Sequence, residues 1–203
     1  MAVKNHSLDD GIINAAAEEF MKHGFAAASL HKIAERANVT TGALYTRYKS
    51  KDALFLSLLE DVFAVFKERS EYVERKYRQA EQSGSAEDFL AAMEFETRIY
   101  TQLFSERYEA CMLLFCKSGG SSAEKLLEEM IAQKVETTAE FFERNAKHPI
   151  DTEAVRLLMD AHFHIFRKAM ERSGSSAEAV AGINNVQPFF SAGWLELFKQ
   201  AHI

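Results

Sequence analysis

The stretch Ser29–Lys51 constrains the fold more than any other part of the chain, because it reads as two short helices joined by a tight turn. Ser29 stands where the N-cap hydroxyl of the first helix belongs. One face of this helix has apolar and small side chains at three- and four-residue spacing, formed by Leu30, Ile33, Ala34 and Ala37. Two helices that cross over such a face predict a helix-turn-helix.

The turn and the second helix have equally local signals. Asn38 tolerates the left-handed backbone that reverses a chain without glycine. Thr40 can cap a helix from Thr41 to about Arg47, in which Leu44 points back at the first helix. The outer face of this helix has no long apolar stripe, so it is free for a partner. About seven residues at about 1.5 Å each span roughly 10 Å, which suits a DNA major groove about 12 Å wide.

Further features lie in register with these two helices: Gly24-Phe25, Ile33-Ala34, Val39-Thr40-x-Gly42, Leu44-Tyr45-x-x-Tyr48 and Ser50-Lys51-x-x-Leu54. With them, the segment FMKHGFAAASLHKIAERANVTTGALYTRYKSKDALF resembles the DNA-binding domain of the TetR family of transcriptional regulators. The resemblance covers about the first quarter of the chain. It implies a DNA-binding domain at residues 1–50 and a helical effector-binding and dimerisation domain at residues 51–203.

Side-chain chemistry and the family pattern together assign roles at DNA. Thr41, Gly42 and Thr46 are expected to face base edges, and His31 to reach a base or a phosphate. Lys51 would be helped by the positive N-terminus of its helix. The residues expected to hold phosphates are Ser29, Lys32, Thr40, Tyr45, Arg47, Tyr48 and Lys51.

The net charge of -6 is unevenly distributed. Residues 1–52 carry seven Lys or Arg and six Asp or Glu, so the rest of the chain has a net charge of -7. Phosphate binding depends on a local cluster of cations, here Lys32, Arg47, Lys49 and Lys51. The acidic remainder is expected to keep non-specific DNA binding low.

The 203 residues include only two prolines and nine glycines, which predicts an all-α fold of about nine to ten helices. No glycine or proline interrupts Lys51–Ser83, so one unbroken fourth helix is expected there. Pro188 is expected to separate a short ninth helix from a last one. The polar Met1–Leu8 and the lack of an apolar run of about 18 residues predict a cytoplasmic protein with neither signal peptide nor membrane span.

The C-terminal part is rich in aromatic residues, which either fill a solid core or line a cavity for a small apolar or aromatic effector. Asp160 and His164 are too few to form a metal site, and Cys111 and Cys116 are expected to pack as small apolar side chains, so no cofactor or metal is expected. The candidate pocket walls are Phe104, Met112, Phe115, Phe141, His162 and Phe166, with His162 as the polar anchor.

One short helix contacts too few base pairs for useful specificity, so the protein is expected to act as a homodimer on a palindromic operator. The leading hypothesis is a repressor that a small molecule releases; the alternatives are control by a protein partner or action as an activator. No convergent nucleophile, base or metal group indicates an enzyme. The expected apolar anchors of the dimer are Val155, Leu158, Phe163, Trp194, Leu195 and Phe198.

Overall fold

The computed structural model describes residues 6–203, and the side chains from residue 9 onward. Over this range the chain forms ten α-helices and no strand, which confirms the all-α prediction. None of the helices within residues 6–203 has the length and apolarity needed to cross a bilayer. The helices are α1 His6–Ala27, α2 Leu30–Arg36, α3 Thr41–Arg47, α4 Lys51–Ser57, α5 Glu60–Ser83, α6 Ala86–Glu106, α7 Tyr108–Cys116, α8 Ser122–Asn145, α9 Thr152–Arg172 and α10 Ser176–Ala201.

Local side-chain chemistry places the starts of the short helices. The Ser29, Thr40 and Ser50 hydroxyls each accept a bond from a backbone N–H three residues on, at 3.4, 3.1 and 3.0 Å. Asn38 has a φ of 55°, the left-handed conformation expected for the turn. Gly24, with a φ of 73°, interrupts α1 as predicted. The capping signals in the sequence are therefore confirmed.

The prediction of one unbroken helix from Lys51 is wrong, because α4 ends at Ser57 and α5 begins at Glu60. The Leu58 N–H donates to the Phe55 carbonyl at 3.1 Å, three residues back rather than four. Ser57 Oγ donates to the Leu54 carbonyl at 2.7 Å, the acceptor that Leu58 would use in an α-helix. A serine that competes for one carbonyl accompanies the break.

The predicted break at Pro188 is also wrong, because α10 runs through it. Proline removes the bond to the carbonyl four residues back. That carbonyl belongs to Asn184, an exposed residue, so water can satisfy it. Ile183 and Phe190 are both buried, and this packing holds the two halves of the helix in line.

The chain packs as two compact units, of which unit 1 comprises the chain up to Phe63 together with Glu109–Leu127. Three rings form the centre of its core. Phe55 lies edge-on to Phe20 and Phe25, with centroids 5.0 and 5.2 Å away. Phe25 directly follows Gly24 and is buried, as expected for a side chain that folds back onto the helix before the glycine.

Two sets of polar contacts attach the segment Glu109–Leu127 to the N-terminal helices of unit 1. The Phe25 N–H donates to the Lys117 carbonyl at 2.7 Å. The N–H and hydroxyl of Ser122 donate to the Asp52 carboxylate at 2.8 and 2.6 Å, so the first turns of α4 and α8 are joined. The functional boundary expected after residue 50 therefore does not coincide with the division into packing units.

Unit 2 comprises Ala64–Tyr108 and Glu128–Ile203. Its core is a cluster of aromatic rings contributed by α6, α8 and α10. Phe89 stacks on Phe141 at a centroid distance of 4.3 Å and meets Phe198 at 5.2 Å. The apolar faces of these helices are thus covered within one chain.

Candidate nucleic-acid interface

Helices α2 and α3 of unit 1 pack against each other as the sequence predicts. Leu44 of α3 is fully buried, as is Ile33 of α2, while Ala34 leaves room for the crossing. The Val39 N–H donates to the Ala34 carbonyl at 2.9 Å and closes the turn. The arrangement is a helix-turn-helix whose second helix keeps one face outside the core.

The outer face of α3 is open at the positions expected to read bases. Gly42 and Thr46 are exposed and Thr41 is half-buried. Among the described residues, a Cβ added at Gly42 would meet only Thr40 Oγ1, at 3.9 Å, so this backbone is uncovered there. Thr46 Oγ1 donates to the Gly42 carbonyl at 2.9 Å, which leaves its lone pairs and methyl group directed outward. Tyr45 beside them is 48% exposed.

The cations around this face differ in how they are held. His31 and Lys32 are exposed. Arg47 Nε donates to Asp9 Oδ1 at 2.7 Å and is thereby held against α1. Lys51 Nζ donates to the carbonyls of Ala26 and Ala28 at 3.0 and 3.1 Å and lies 4.8 Å from the Phe25 ring centroid. An ammonium has three N–H donors, so one remains for a phosphate.

The hydroxyls assigned to phosphates have structural roles as well. Ser29 and Thr40 use their oxygens as caps, and each still has its proton to donate. Burial raises the pKa of Tyr48, and a hydrogen bond with Ser57 partly opposes that shift. Tyr48 therefore stays protonated at neutral pH and remains a donor.

A groove of about 440 Å³ in unit 1 was not anticipated from the sequence. It contains two cations besides Lys32, namely Lys22 and Arg36. Arg36 Nη1 pairs with Glu18 at 3.1 Å. The available signal was the four-residue spacing of Lys32 and Arg36 on one helix face. The full lining is Glu19, Lys22, His23, Lys32, Glu35 and Arg36.

The residues expected to line an effector pocket are divided between the two units. Met112 and Phe115 belong to unit 1, and the other four belong to unit 2. Phe104 and Phe141 are buried, and Phe141 lies inside the aromatic core, so it packs there as a core residue. His162 and Phe166 are adjacent, with ring centroids 4.8 Å apart.

Three residues expected on the dimer surface lie in the core of a single chain instead. Val155 and Phe198 are fully buried and Trp194 is 2% exposed, so none of them can anchor a second copy. Leu158 and Phe163 are half-buried against the same core, and Leu195 is exposed. Helical periodicity predicted an apolar face correctly, but α6 and α8 of the same chain cover it.

Comparisons with known proteins agree with this geometry. Residues 12–58 match the model of the tetR family of bacterial regulatory proteins. The fatty acid metabolism regulator protein of Bacillus subtilis is 35% identical over 60 residues, or 30% of this chain. The matches span only 17% and 31% of the lengths of the curated relatives.

Two solved structures share the fold over nearly the whole chain. NalD of Pseudomonas aeruginosa, the secondary repressor of the MexAB-OprM multidrug efflux pump, covers 95% of this chain and 97% of its own at 19% identity, with a TM-score of 0.58. FadR of Bacillus subtilis in complex with stearoyl-CoA covers 91% and 98% at 16% identity, with a TM-score of 0.51. By its match over residues 12–58, the N-terminal part of this chain is a tetR-family DNA-binding domain, and the chain as a whole shares the fold of solved TetR-like regulators.

Proposed function

We propose that this chain is a homodimeric repressor that binds a palindromic operator in the cytoplasm and is released from it by a small molecule. The observation that carries the proposal is the outward face of α3. It has an uncovered backbone at Gly42, an exposed tyrosine at Tyr45 and cations on both sides. Such a face combines close approach to base edges with phosphate contacts.

The proposed division of roles follows the geometry of each group. Thr41, Gly42 and Thr46 read bases, because they lie on the open side of α3. His31 and Lys32 extend the contact from α2. The phosphate contacts are assigned to Ser29, Lys32, Thr40, Tyr45, Arg47, Tyr48 and Lys51.

A dimer supplies the second reading helix. Two half-sites about 34 Å apart, or a multiple of that distance, place two copies of α3 in successive major grooves. The surface proposed for pairing lies on α9 and α10, where Leu157, Phe189 and Leu195 are 61%, 75% and 38% exposed. Large apolar side chains this exposed are typical of an interface.

The effector is proposed to bind among residues 51–203, and the DNA-binding function is assigned to residues 1–50. FadR of Bacillus subtilis binds stearoyl-CoA and NalD is a repressor, which supports a ligand-responsive repressor on this fold. A ligand that binds better to one separation of the two DNA-binding domains than to another shifts operator affinity by that difference.

The test is selection of bound duplexes from a random pool by the purified full chain. The expected product is a palindrome whose half-site spacing reports the dimer geometry. Tyr45→Ala and Lys51→Ala should weaken binding to all sequences, whereas Thr41→Ala and Thr46→Ala should change the preferred bases. Unchanged affinity in all four variants, or an enriched site without two-fold symmetry, would reject the proposal.

A further inference from the structure

A cluster of polar side chains lies in unit 2, apart from the DNA-binding residues. Glu96 Oε2 accepts from Tyr77 Oη at 2.5 Å and pairs with Lys134 Nζ at 3.1 Å. The Tyr100 hydroxyl bonds to the same carboxylate. Lys134 Nζ also lies 3.4 Å from the centroid of the Tyr77 ring. Three helices, α5, α6 and α8, therefore contribute to one charged group of residues.

Lys134 has more capacity for a further partner than Glu96. The Glu96 carboxylate already accepts from two hydroxyls and one ammonium, so most of its lone pairs are occupied. The Lys134 ammonium has three N–H groups, and its contacts in this cluster are the Glu96 carboxylate and the face of the Tyr77 ring. A further partner of Lys134 would therefore be a hydrogen-bond acceptor.

His162 of α9 lies within the electrostatic reach of Glu96 and Lys134 and has a buried polar atom of its own. Its Nε2 is buried and makes no hydrogen bond with any residue that the structure describes. Burial lowers the pKa of His162 to about 4, so the ring is neutral at neutral pH; the nearby Glu96 raises that pKa and Lys134 lowers it. A buried polar atom without a partner is rare in native proteins and calls for one.

Aromatic rings line the other side of His162. Its ring stacks on Phe190 at a centroid distance of 4.4 Å and an interplanar angle of 11°, and Phe166 lies 4.8 Å away. Lys134 is 23% exposed and Glu96 15%, so the polar end of the cluster is accessible from solvent. An apolar surface with one polar end fits an amphipathic ligand.

We propose that Lys134 and His162 bind the head group of a lipophilic monocarboxylate, whose apolar body packs on Phe166 beside the His162 ring. A carboxylate accepts from the Lys134 N–H and from the His162 ring together, and it brings the charge that Lys134 attracts. An alcohol cannot use the charge of Lys134, and an amine is repelled by it. The inference rests on the proposed function, because this ligand would be the effector.

The experiment measures binding of decanoate and 4-phenylbutyrate to the full chain by isothermal titration calorimetry, with decanol and decylamine as matched neutral and cationic probes. The carboxylates should bind at least tenfold more tightly than either. His162→Phe and the pair Glu96→Gln/Lys134→Met, which leaves no unpaired buried charge, should each weaken carboxylate binding at least tenfold. His164→Phe and Lys125→Met, exposed positions on the same two helices, should leave it unchanged.

Melting temperatures establish that each variant is folded. If Glu96→Gln/Lys134→Met does not fold, His162→Phe and Lys134→Arg decide, because arginine keeps the charge and should retain binding. No carboxylate binding, equal binding of decanol, or binding insensitive to His162→Phe overturns the inference. Operator selection is carried out in parallel, so that the two proposals can fail separately. If a palindrome is selected but no carboxylate binds, only the proposed carboxylate ligand is rejected. If carboxylates bind through His162 but no DNA binds, only the proposed repressor function is rejected.

Discussion

Arg47 Nε donates to Asp9 Oδ1 at 2.7 Å, so the last residue of the proposed reading helix is held by a carboxylate from α1. Both side chains are partly exposed, which makes the pair a weak contributor to stability. Its position matters more than its strength, because a carboxylate beside the DNA face repels phosphates. Asp9 therefore limits how far Arg47 can serve as a phosphate ligand.

Asp9→Asn should tighten DNA binding. The change releases the Arg47 guanidinium and removes one negative charge, so one more phosphate contact becomes available. The slope of log affinity against log salt should become more negative by about 0.9, while the free energy of unfolding changes by less than about 1 kcal/mol. Fluorescence anisotropy of a labelled operator from low to high salt measures both slope and affinity.

Asp10→Asn provides the control, since Asp10 is exposed and has the same charge. If both variants change the slope equally, the effect comes from net charge and the Asp9 to Arg47 contact has no specific role.

Gly42→Ala separates protein stability from DNA recognition. A Cβ there would meet only Thr40 Oγ1, at 3.9 Å, and alanine favours a helix by up to about 1 kcal/mol over glycine. The variant should be as stable as the original or more so, yet bind the operator at least tenfold more weakly, because the methyl group occupies the space of a base edge. Urea unfolding and anisotropy measure the two effects.

Gly11→Ala is the matched control, because a Cβ at this helical glycine would meet nothing within 4 Å. Gly11→Ala should gain as much stability as Gly42→Ala, and its affinity for the operator should be unchanged. Full operator affinity in Gly42→Ala would show that the backbone at Gly42 does not approach the bases.

The parts of the fold that the sequence predicted correctly depend on contacts within a few residues. Ser29 and Thr40 cap helices through N–H groups three residues on, and Asn38 reverses the chain by its own φ. Such features need no knowledge of the rest of the molecule. Competition between Ser57 and Leu58 for one carbonyl is equally local, but Ser70 makes the same kind of bond to the Lys67 carbonyl within α5, which continues unbroken.

The parts that were missed depend on which distant segments meet. Periodicity identified Trp194 and Phe198 as apolar face residues, but not that the same chain covers them. Glu96, Lys134 and His162 lie on three helices, and no spacing in the sequence indicates that their side chains converge. Sites of this kind become visible only after the chain is packed.

Phe189→Ser should prevent dimerisation without unfolding the chain. Phe189 is 75% exposed, so its removal costs little within one copy, whereas an apolar anchor at an interface contributes on the order of 2 kcal/mol. Sedimentation velocity should show a dimer for the original chain and a dissociation constant at least tenfold higher for the variant, with operator binding weakened in parallel.

Leu126→Ser is the comparison for Phe189→Ser, because Leu126 is also exposed, at 43%, but lies on α8. Equal sedimentation of the original chain and Phe189→Ser, or equal dissociation in Leu126→Ser, would argue against pairing through α10.

His162 should make stability fall as the solution is acidified. Its pKa is about 4 in the folded chain and 6.5 when exposed, so between these values the unfolded chain takes up a proton that the folded chain does not. The contribution of His162 to the free energy of unfolding is complete above pH 6.5 and is lost as pH falls toward 4, by at most about 3 kcal/mol in all.

His162→Phe removes this proton uptake and keeps a ring against Phe190. Urea unfolding at pH 7, 5 and 4 should therefore show a smaller loss of stability in His162→Phe than in the original chain, while the exposed His164→Phe should follow the original chain. Parallel pH profiles for all three would mean that the His162 ring is already protonated, or hydrated, in the native protein.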